Sequence, residues 1–323
     1  MKKILIIRLS SIGDIVLTSP IVRCLKNQTG ACIHYLVKPE FKALLENSPY
    51  IDKLHLLNNR LKSTIDDIKK ENFDYLIDLH NNIRTIILKK SIRIKSFTYS
   101  KQSLRRFLHL NFSSKIKLNH VVNNYFLALN SLNVKNDNRG LDYFFSNERT
   151  DFDVKSKYIC WSVGASHQNK MLSVETIIYI CNKIDLPIYL IGGKKETEIG
   201  DKIVLYTENK HVKNFCGKAD LNYSAKIIDK CSLLLTNDTG MMHIGAALKK
   251  KIISFWGCTK PSQGFRPYID SPKSIEIIYS PHSKPCSKHG KFCKSLVDGC
   301  VKKIKSEKIV NEIKKVLKSP SFH

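Results

Sequence analysis

The chain has 323 residues, long enough for two domains with full cores, and its 42% hydrophobic content is ordinary for a globular protein. Fifty-four basic residues against 28 acidic ones give a formal net charge of +26, and only ten of the basic residues are arginine. No apolar run approaches the roughly 18 residues of a membrane helix. The basic N-terminus leads into an apolar stretch too short, and too interrupted by Arg8 and Asp14, for a signal peptide, so a cytoplasmic protein is expected.

In chain order, strands are expected at 3–8, 32–37, 53–57, 75–79 and 92–98, with helical patterns near 15–27, 38–46, 61–70 and 82–90 between them and a further amphipathic helix at 121–132. Residues 146–157 are charged and aperiodic and read as a linker. The rhythm then restarts, with strands at 158–163, 188–191, 212–215, 232–236 and 251–255. Helices are expected at 174–183, 196–206, 223–229 and 241–248, and a last one near 301–317. Strand–helix alternation in both halves predicts an α/β protein of two Rossmann-like doubly wound domains, 1–150 and 151–300, facing each other across a cleft.

Three strand-to-helix turns carry chemistry. The first is Ser10-Ser11-Ile12-Gly13-Asp14, where Asp14 reads either as a helix-start carboxylate or as a general base. The second opens the latter half: Gly164-Ala165 allows close backbone approach, and Lys170 offers a point charge to a phosphate oxygen or stands as a solvated loop lysine. Gly192-Gly193 with Lys194-Lys195, and Gly217-Lys218, repeat the strand–glycine–lysine order, as a diphosphate-bearing donor would select. The third is Thr236-Asn237-Asp238-Thr239-Gly240-Met241-Met242-His243, between an apolar strand and a small-residue helix. Free N–H groups and the helix dipole make such a turn an anion site, although Asp238 also reads as an ordinary N-cap. Neither G-x-G-x-x-G nor G-x-x-x-x-G-K-[ST] occurs, which counts against dehydrogenases and P-loop NTPases.

Ten cysteines in a chain this long do not form a disulfide scaffold. Cys24, Cys32, Cys160, Cys181, Cys216, Cys231 and Cys258 lie in or beside apolar elements and read as small core residues. Cys286, His289, Cys293 and Cys300 share a polar loop with the ligand count of a zinc site but not a standard spacing, so reduced loop thiols are the expectation. The basic pairs Lys89-Lys90, Arg105-Arg106, Lys249-Lys250-Lys251 and Lys302-Lys303 are dispersed. They fit an anionic glycolipid or membrane face better than nucleic acid, and part of the lysine excess goes with a composition also rich in Asn and Ile.

The stretch from Leu9 to Pro20 resembles the N-terminal signature of the bacterial ADP-heptose:lipopolysaccharide heptosyltransferases, glycosyltransferase family 9, and that from Asn237 to Ala247 resembles their C-terminal one. Gly164-Ala165 with Lys170, Gly192-Gly193, and Phe255-Trp256-Gly257-Cys258-Thr259 before Pro261 follow the family's order. The resemblance implies a GT-B fold with an acceptor-binding N-terminal domain, a donor-binding C-terminal domain and a 301–323 helix returning toward the first domain. It implies inverting transfer of a heptose from an ADP-sugar to the lipopolysaccharide or lipooligosaccharide core at the inner membrane surface, with no cofactor and no essential metal. Asp14 matches the catalytic base and Lys170 the lysine on the donor phosphate. Asp238 would hold sugar hydroxyls, Thr239 and Gly240 would present N–H groups, and His243 would face the departing phosphate. Ser10, Ser11, Gly13, Gly164, Gly192, Gly193 and Lys218 complete the expected donor contacts. The chain departs from the family pattern at Met171-Leu172-Ser173 and at Met241. Another nucleotide sugar on a different cell-surface glycan, or a non-catalytic binding protein of the same fold, remain the alternatives.

Overall fold

The computed structural model describes residues 1–112, 115–145, 156–269, 273–279, 281–282, 284–296 and 299–318. Most of the expected linker, 146–155, lies outside them. By its contacts the chain forms two units. Met1–Ser103 and the stretch from Asn119 to the linker make the first; Leu104–Leu118 and everything after the linker make the second.

The first unit is a five-stranded sheet, β1 (Lys3–Ile7), β2 (Cys32–Val37), β3 (Lys53–Leu56), β4 (Tyr75–Asp78) and β5 (Lys95–Thr98), in the order β3-β2-β1-β4-β5 with every pairing parallel. β1 and β4 are buried along most of their length because both faces are covered, which is why they read as unbroken apolar runs. Leu5, Ile7, Leu36, Ile65, Ile68, Phe73, Leu76 and Leu88 form one core, with Ile65 and Ile68 from α3 (Leu61–Lys69) and Leu88 from α4 (Ile83–Ile92). The helix expected at 15–27 is two: α1 (Ile12–Val16) and α2 (Ser19–Thr29). Pro20 at the start of α2 cannot continue the preceding turn, since it lacks the N–H. α2 stops at Gly30, whose φ of 62° is the left-handed conformation of a helix end.

The second unit is a six-stranded sheet of β6 (Ile159–Ser162), β7 (Ile188–Ile191), β8 (Val212–Asn214), β9 (Leu233–Asn237), β10 (Ile252–Trp256) and β11 (Ser274–Ile278). Their order is β11-β10-β9-β6-β7-β8, again all parallel. α6 (Val121–Leu127), within the helix expected at 121–132, belongs to the first unit; in the second, α7 (Val174–Asn182), α8 (Thr197–Tyr206), α9 (Leu221–Lys230) and α10 (Gly240–Ala247) follow their strands as expected.

The linear reading is corrected in one place. α5 (Ser103–Asn111) went unpredicted, and from Leu104 onward it belongs to the second unit. There buried His109 contacts the Ile116 carbonyl oxygen at 2.8 Å and the Ser262 hydroxyl at 3.2 Å, and Arg106 lies 4.6 Å over the Phe265 ring. The last helix, α11 (Ser306–Lys318), packs Ile309, Val310 and Ile313 into the second unit's core. No helix of the described residues is long and apolar enough to cross a membrane.

Candidate active site

In an open parallel sheet, ligands bind where the strand order reverses, because the loops leaving the two central strands diverge there. In the first unit this point lies between β1 and β4. The loop after β1 carries Arg8, Ser10, Ser11, Gly13 and Asp14; the loop after β4 carries Leu79, His80 and Asn81. Buried Arg8 ties them together. Its Nη1 donates to the Leu79 carbonyl at 2.6 Å, its Nε to the Ser10 carbonyl at 2.6 Å, and its Nη2 lies 2.5 Å from Asp14 Oδ2. The Ser11 hydroxyl donates to the same carboxylate oxygen at 3.1 Å. Ser10 and Ser11 thus serve to fix Asp14, which stays 26% exposed while Gly13 beside it is buried. Burial opposes the Arg8 charge, but Tyr125, then Asp14 and Tyr99, outweigh it and hold its proton more firmly than usual.

His80 was missed by the sequence reading. Burial, then the charge of Arg8, pulls its imidazole down to about 4, so it is neutral near pH 7. Its Nδ1 is buried without a hydrogen-bond partner among the described residues. Beneath it, fully buried Asp78 accepts the His80 and Asn81 backbone N–H groups at 3.0 and 2.7 Å and pairs with Lys89 at 2.9 Å. The signal was there: polar side chains directly after an apolar strand, the same pattern that singled out Asp14.

In the second unit the reversal falls between β6 and β9. The loop after β6 holds Gly164 and leads to Lys170; the turn after β9 holds Asp238, Thr239 and Gly240. Lys170 is only 9% exposed, and its Nζ lies 2.6 Å from Asp238 Oδ2. The Thr259 hydroxyl, from the loop after β10, donates to that oxygen at 2.9 Å. Oδ1 of Asp238 makes no hydrogen bond among the described residues and remains an open acceptor. Buried Asn237 joins the two loops by donating to the carbonyls of Val163 (3.0 Å) and Gly164 (3.1 Å). Thr239, rather than Asp238, is the N-cap of α10, and it makes no side-chain capping bond. The first N–H groups of α10 therefore leave an anion-binding terminus at this turn. His243, on the fourth residue of α10, is buried.

The glycine–lysine repeats divide differently. The space beside Gly164 and Gly192 is filled by the Glu196 side chain, which would lie 2.7 and 2.8 Å from a Cβ at either position. Its carboxylate accepts the Gly193 N–H at 2.8 Å. These glycines thus admit Glu196, a second residue that sequence reading did not single out. Lys194 and Lys195 are exposed, and Lys218 is exposed beyond β8, the edge strand two places from β6. Of the four lysines, Lys170 is the one joined to Asp238.

The cysteine expectation is corrected as well. Cys258, read as a core residue, clusters with Cys286, Cys293 and Cys300, whereas His289 is exposed and stands outside that group.

Two Rossmann-like sheets, each presenting charged and polar side chains at its reversal point, define a protein of GT-B build. The family model of glycosyltransferase family 9 (heptosyltransferase) matches residues 61–295, and the chain belongs to that family. It is a glycosyltransferase; the Asp14 turn precedes the matched range. Lipopolysaccharide heptosyltransferase 1 of Campylobacter coli is 27% identical over 291 residues, which are 80% of this chain and 84% of that protein. A family 9 glycosyl transferase of Veillonella parvula superposes with a TM-score of 0.80 at 22% identity, over 98% of this chain and 97% of that one. The E. coli heptosyltransferase WaaC, solved with ADP, superposes with a TM-score of 0.73 at 17% identity, over 97% and 99%.

Proposed function

We propose that this chain transfers a heptose from ADP-heptose to the inner core of lipopolysaccharide or lipooligosaccharide, with inversion at the anomeric carbon. The observation that carries the reading is the buried Lys170–Asp238 pair at the reversal point of the second sheet, beside the N-terminus of α10. Family membership and the heptosyltransferase relatives support the same substrate class.

The chemistry follows from where charge moves. As the sugar–phosphate bond breaks, positive charge spreads over the anomeric carbon and ring oxygen, and negative charge grows on the departing diphosphate. Lys170 and the free N–H groups after Thr239 supply fixed positive potential where that negative charge develops. This division of labour meets the leaving-group charge with protein groups and assigns no role to a metal. Donor phosphate competes with Asp238 for Lys170, and Asp238 Oδ1 is free to accept a sugar hydroxyl. In the first unit, Asp14 takes the proton of the acceptor hydroxyl as its oxygen bonds to the anomeric carbon, and ADP leaves from the other face. Arg8 and Ser11 hold that carboxylate in one rotamer. His243 acts from α10 on the departing phosphate.

The lysine-rich surface suits a cytoplasmic enzyme that visits an anionic membrane leaflet to reach its acceptor. A nucleotide panel tests the donor. A ligand held a hundredfold above its Kd stabilises by about 2.7 kcal/mol. Selective thermal stabilisation by ADP over UDP and GDP is expected; selective stabilisation by UDP or GDP would move the assignment to another nucleotide sugar.

A further inference from the structure

Four cysteines that are far apart in sequence, Cys258, Cys286, Cys293 and Cys300, bring their sulfurs within 4.8 Å of one another. Cys286 lies 3.8 Å from Cys293 and 3.7 Å from Cys300, and Cys293 lies 3.1 Å from Cys300. A tetrahedral ion with metal–sulfur bonds of about 2.3 Å requires sulfur–sulfur edges of about 3.8 Å. Two of the three edges match that figure, and the Cys293–Cys300 edge at 3.1 Å is shorter and would open as the sulfurs close around an ion. Three of the four cysteines are buried and the fourth is partly so.

The surroundings suit a metal thiolate better than a small apolar core. Among the described residues, Tyr279 is the one partly buried apolar side chain besides Cys293 that packs against Cys258, Cys286 and Cys300. The segment bearing the last three cysteines is poor in apolar residues, and its Phe292 is 54% exposed. Burial of hydrocarbon therefore offers little to hold it in place, and small lobes of this kind depend on a cross-link. Four thiolates around a divalent ion carry a net charge of about −2. Lys288, Lys291, Lys294, Lys302 and Lys303 alternate with the cysteines, and buried Lys260 lies close enough to interact with both Cys286 and Cys300. The Leu296 N–H points to Cys293 Sγ at 3.4 Å, as backbone donors do around metal-bound sulfur.

We infer that these four cysteines hold one tetrahedral thiolate-bound metal ion, zinc or ferrous iron, which clamps the Cys286–Cys300 segment to the end of β10. Both ions accept four sulfur ligands in this geometry.

The clamp has a consequence that rests on the donor reading of Lys170. The clamped segment packs directly on that lysine. A Cβ on Gly290, which has φ +75°, would lie 2.5 Å from Lys170 Cγ, and one on Gly299, φ +91°, would lie 2.7 Å from the Asn169 backbone. Asn169 donates to the Lys291 carbonyl at 3.1 Å, and Gln263 donates to the carbonyls of Ser287 and Lys288 at 3.3 and 3.2 Å. The metal thereby fixes the wall that holds the Lys170 stem. It is a positioning element and touches no reacting atom.

The test is elemental analysis of the full chain purified without chelators. About one ion per chain is expected. Zinc leaves the protein colourless, whereas ferrous iron, once oxidised to the ferric state by added ferricyanide, gives a visible sulfur-to-metal charge-transfer band. An organomercurial titrated into the wild-type protein should release that ion to a chromogenic chelator, so the reading does not depend on any variant folding. C293S and C300S should lose the metal, whereas C32S, outside the cluster, should keep it. Only trace metal in protein made with ample zinc and iron, with all four thiols freely reactive, would overturn the inference, as would metal retained in both cluster variants. Stripping the ion should weaken ADP binding at least tenfold, and restoring it should recover the loss. If the metal-loaded chain fails to bind ADP, the donor reading fails and the metal site stands.

Discussion

Lys170 and Asp238 illustrate how much one pair can carry. A lysine buried to this degree is rare unless paired, and its partner is itself a ligand candidate. Removing a group that stabilises charge only in the transition state lowers kcat rather than merely raising KM. K170A is expected to cut kcat by about 10² to 10³ in protein that remains folded, and to lower the melting temperature as well, because it strands the Asp238 carboxylate. Unchanged turnover would remove Lys170 from the mechanism. D14N keeps the shape of the side chain and abolishes its basicity, so a loss of at least about 10²-fold in kcat is expected with ADP affinity retained. Stopped-turnover binding and steady-state rates separate the two effects, and loss of ADP affinity with unchanged kcat would contradict the assignment. His34 and His80 give a pH dependence with a definite sign. Burial holds both near pKa 4 in the folded chain, against about 6.5 in the unfolded one. Their stabilising share is complete above about pH 6.5 and is lost as the pH falls toward about 4, because the unfolded state takes up the protons first. The melting temperature should decline from pH 7 to 5 at constant salt, and H80N should decline less steeply. An NMR titration showing His80 protonating at its ordinary pKa would refute this.

At the scale of elements, the local pattern carried most of the architecture. Strands β2 and β7 fall where their apolar runs begin and end, since a strand buried on both faces writes itself as a continuous hydrophobic word. The Asp14 and Asp238 turns were legible because glycine and a carboxylate directly after such a run have few other uses. Contacts between distant segments were not legible. Cys258 follows an apolar strand and resembles any core cysteine; only the fold brings it to Cys286. α5 is short, and its pairing with the second unit depends on Ser262 and Phe265, more than 150 residues away. Arg23 was hidden in the same way. Its side chain is 1% exposed on α2, and it donates to Asp137 at 2.8 Å, to Asp142 and to the Gly140 carbonyl at 2.9 Å. It fastens the segment leading toward the linker onto α2. Deleting one partner of a buried ion cluster strands the others, so R23A should cost about 3–5 kcal/mol in denaturant unfolding, with little effect on ADP affinity in protein that remains folded. A loss below about 1 kcal/mol, typical of an exposed pair, would show that the cluster is solvated.

For the whole molecule, the charge of +26 makes its own prediction. Binding to liposomes should rise with anionic lipid content and fall as salt shortens the screening length to about 8 Å at physiological ionic strength. Equal binding to neutral and anionic vesicles would detach the charge from membrane contact. The assignment of the leaving-group charge to Lys170 and α10 predicts that millimolar magnesium or manganese leaves the rate of the purified enzyme unchanged; strong activation by either would require a metal in the chemistry. The central claim is transfer itself. The most direct measurement incubates the purified chain with ADP-heptose and a deacylated lipopolysaccharide inner-core acceptor, and follows both products by mass spectrometry. The account predicts an acceptor heavier by one heptosyl unit, formed in step with ADP and absent with D14N. ADP-heptose left intact, while a different nucleotide sugar is consumed on the same acceptor, would contradict it.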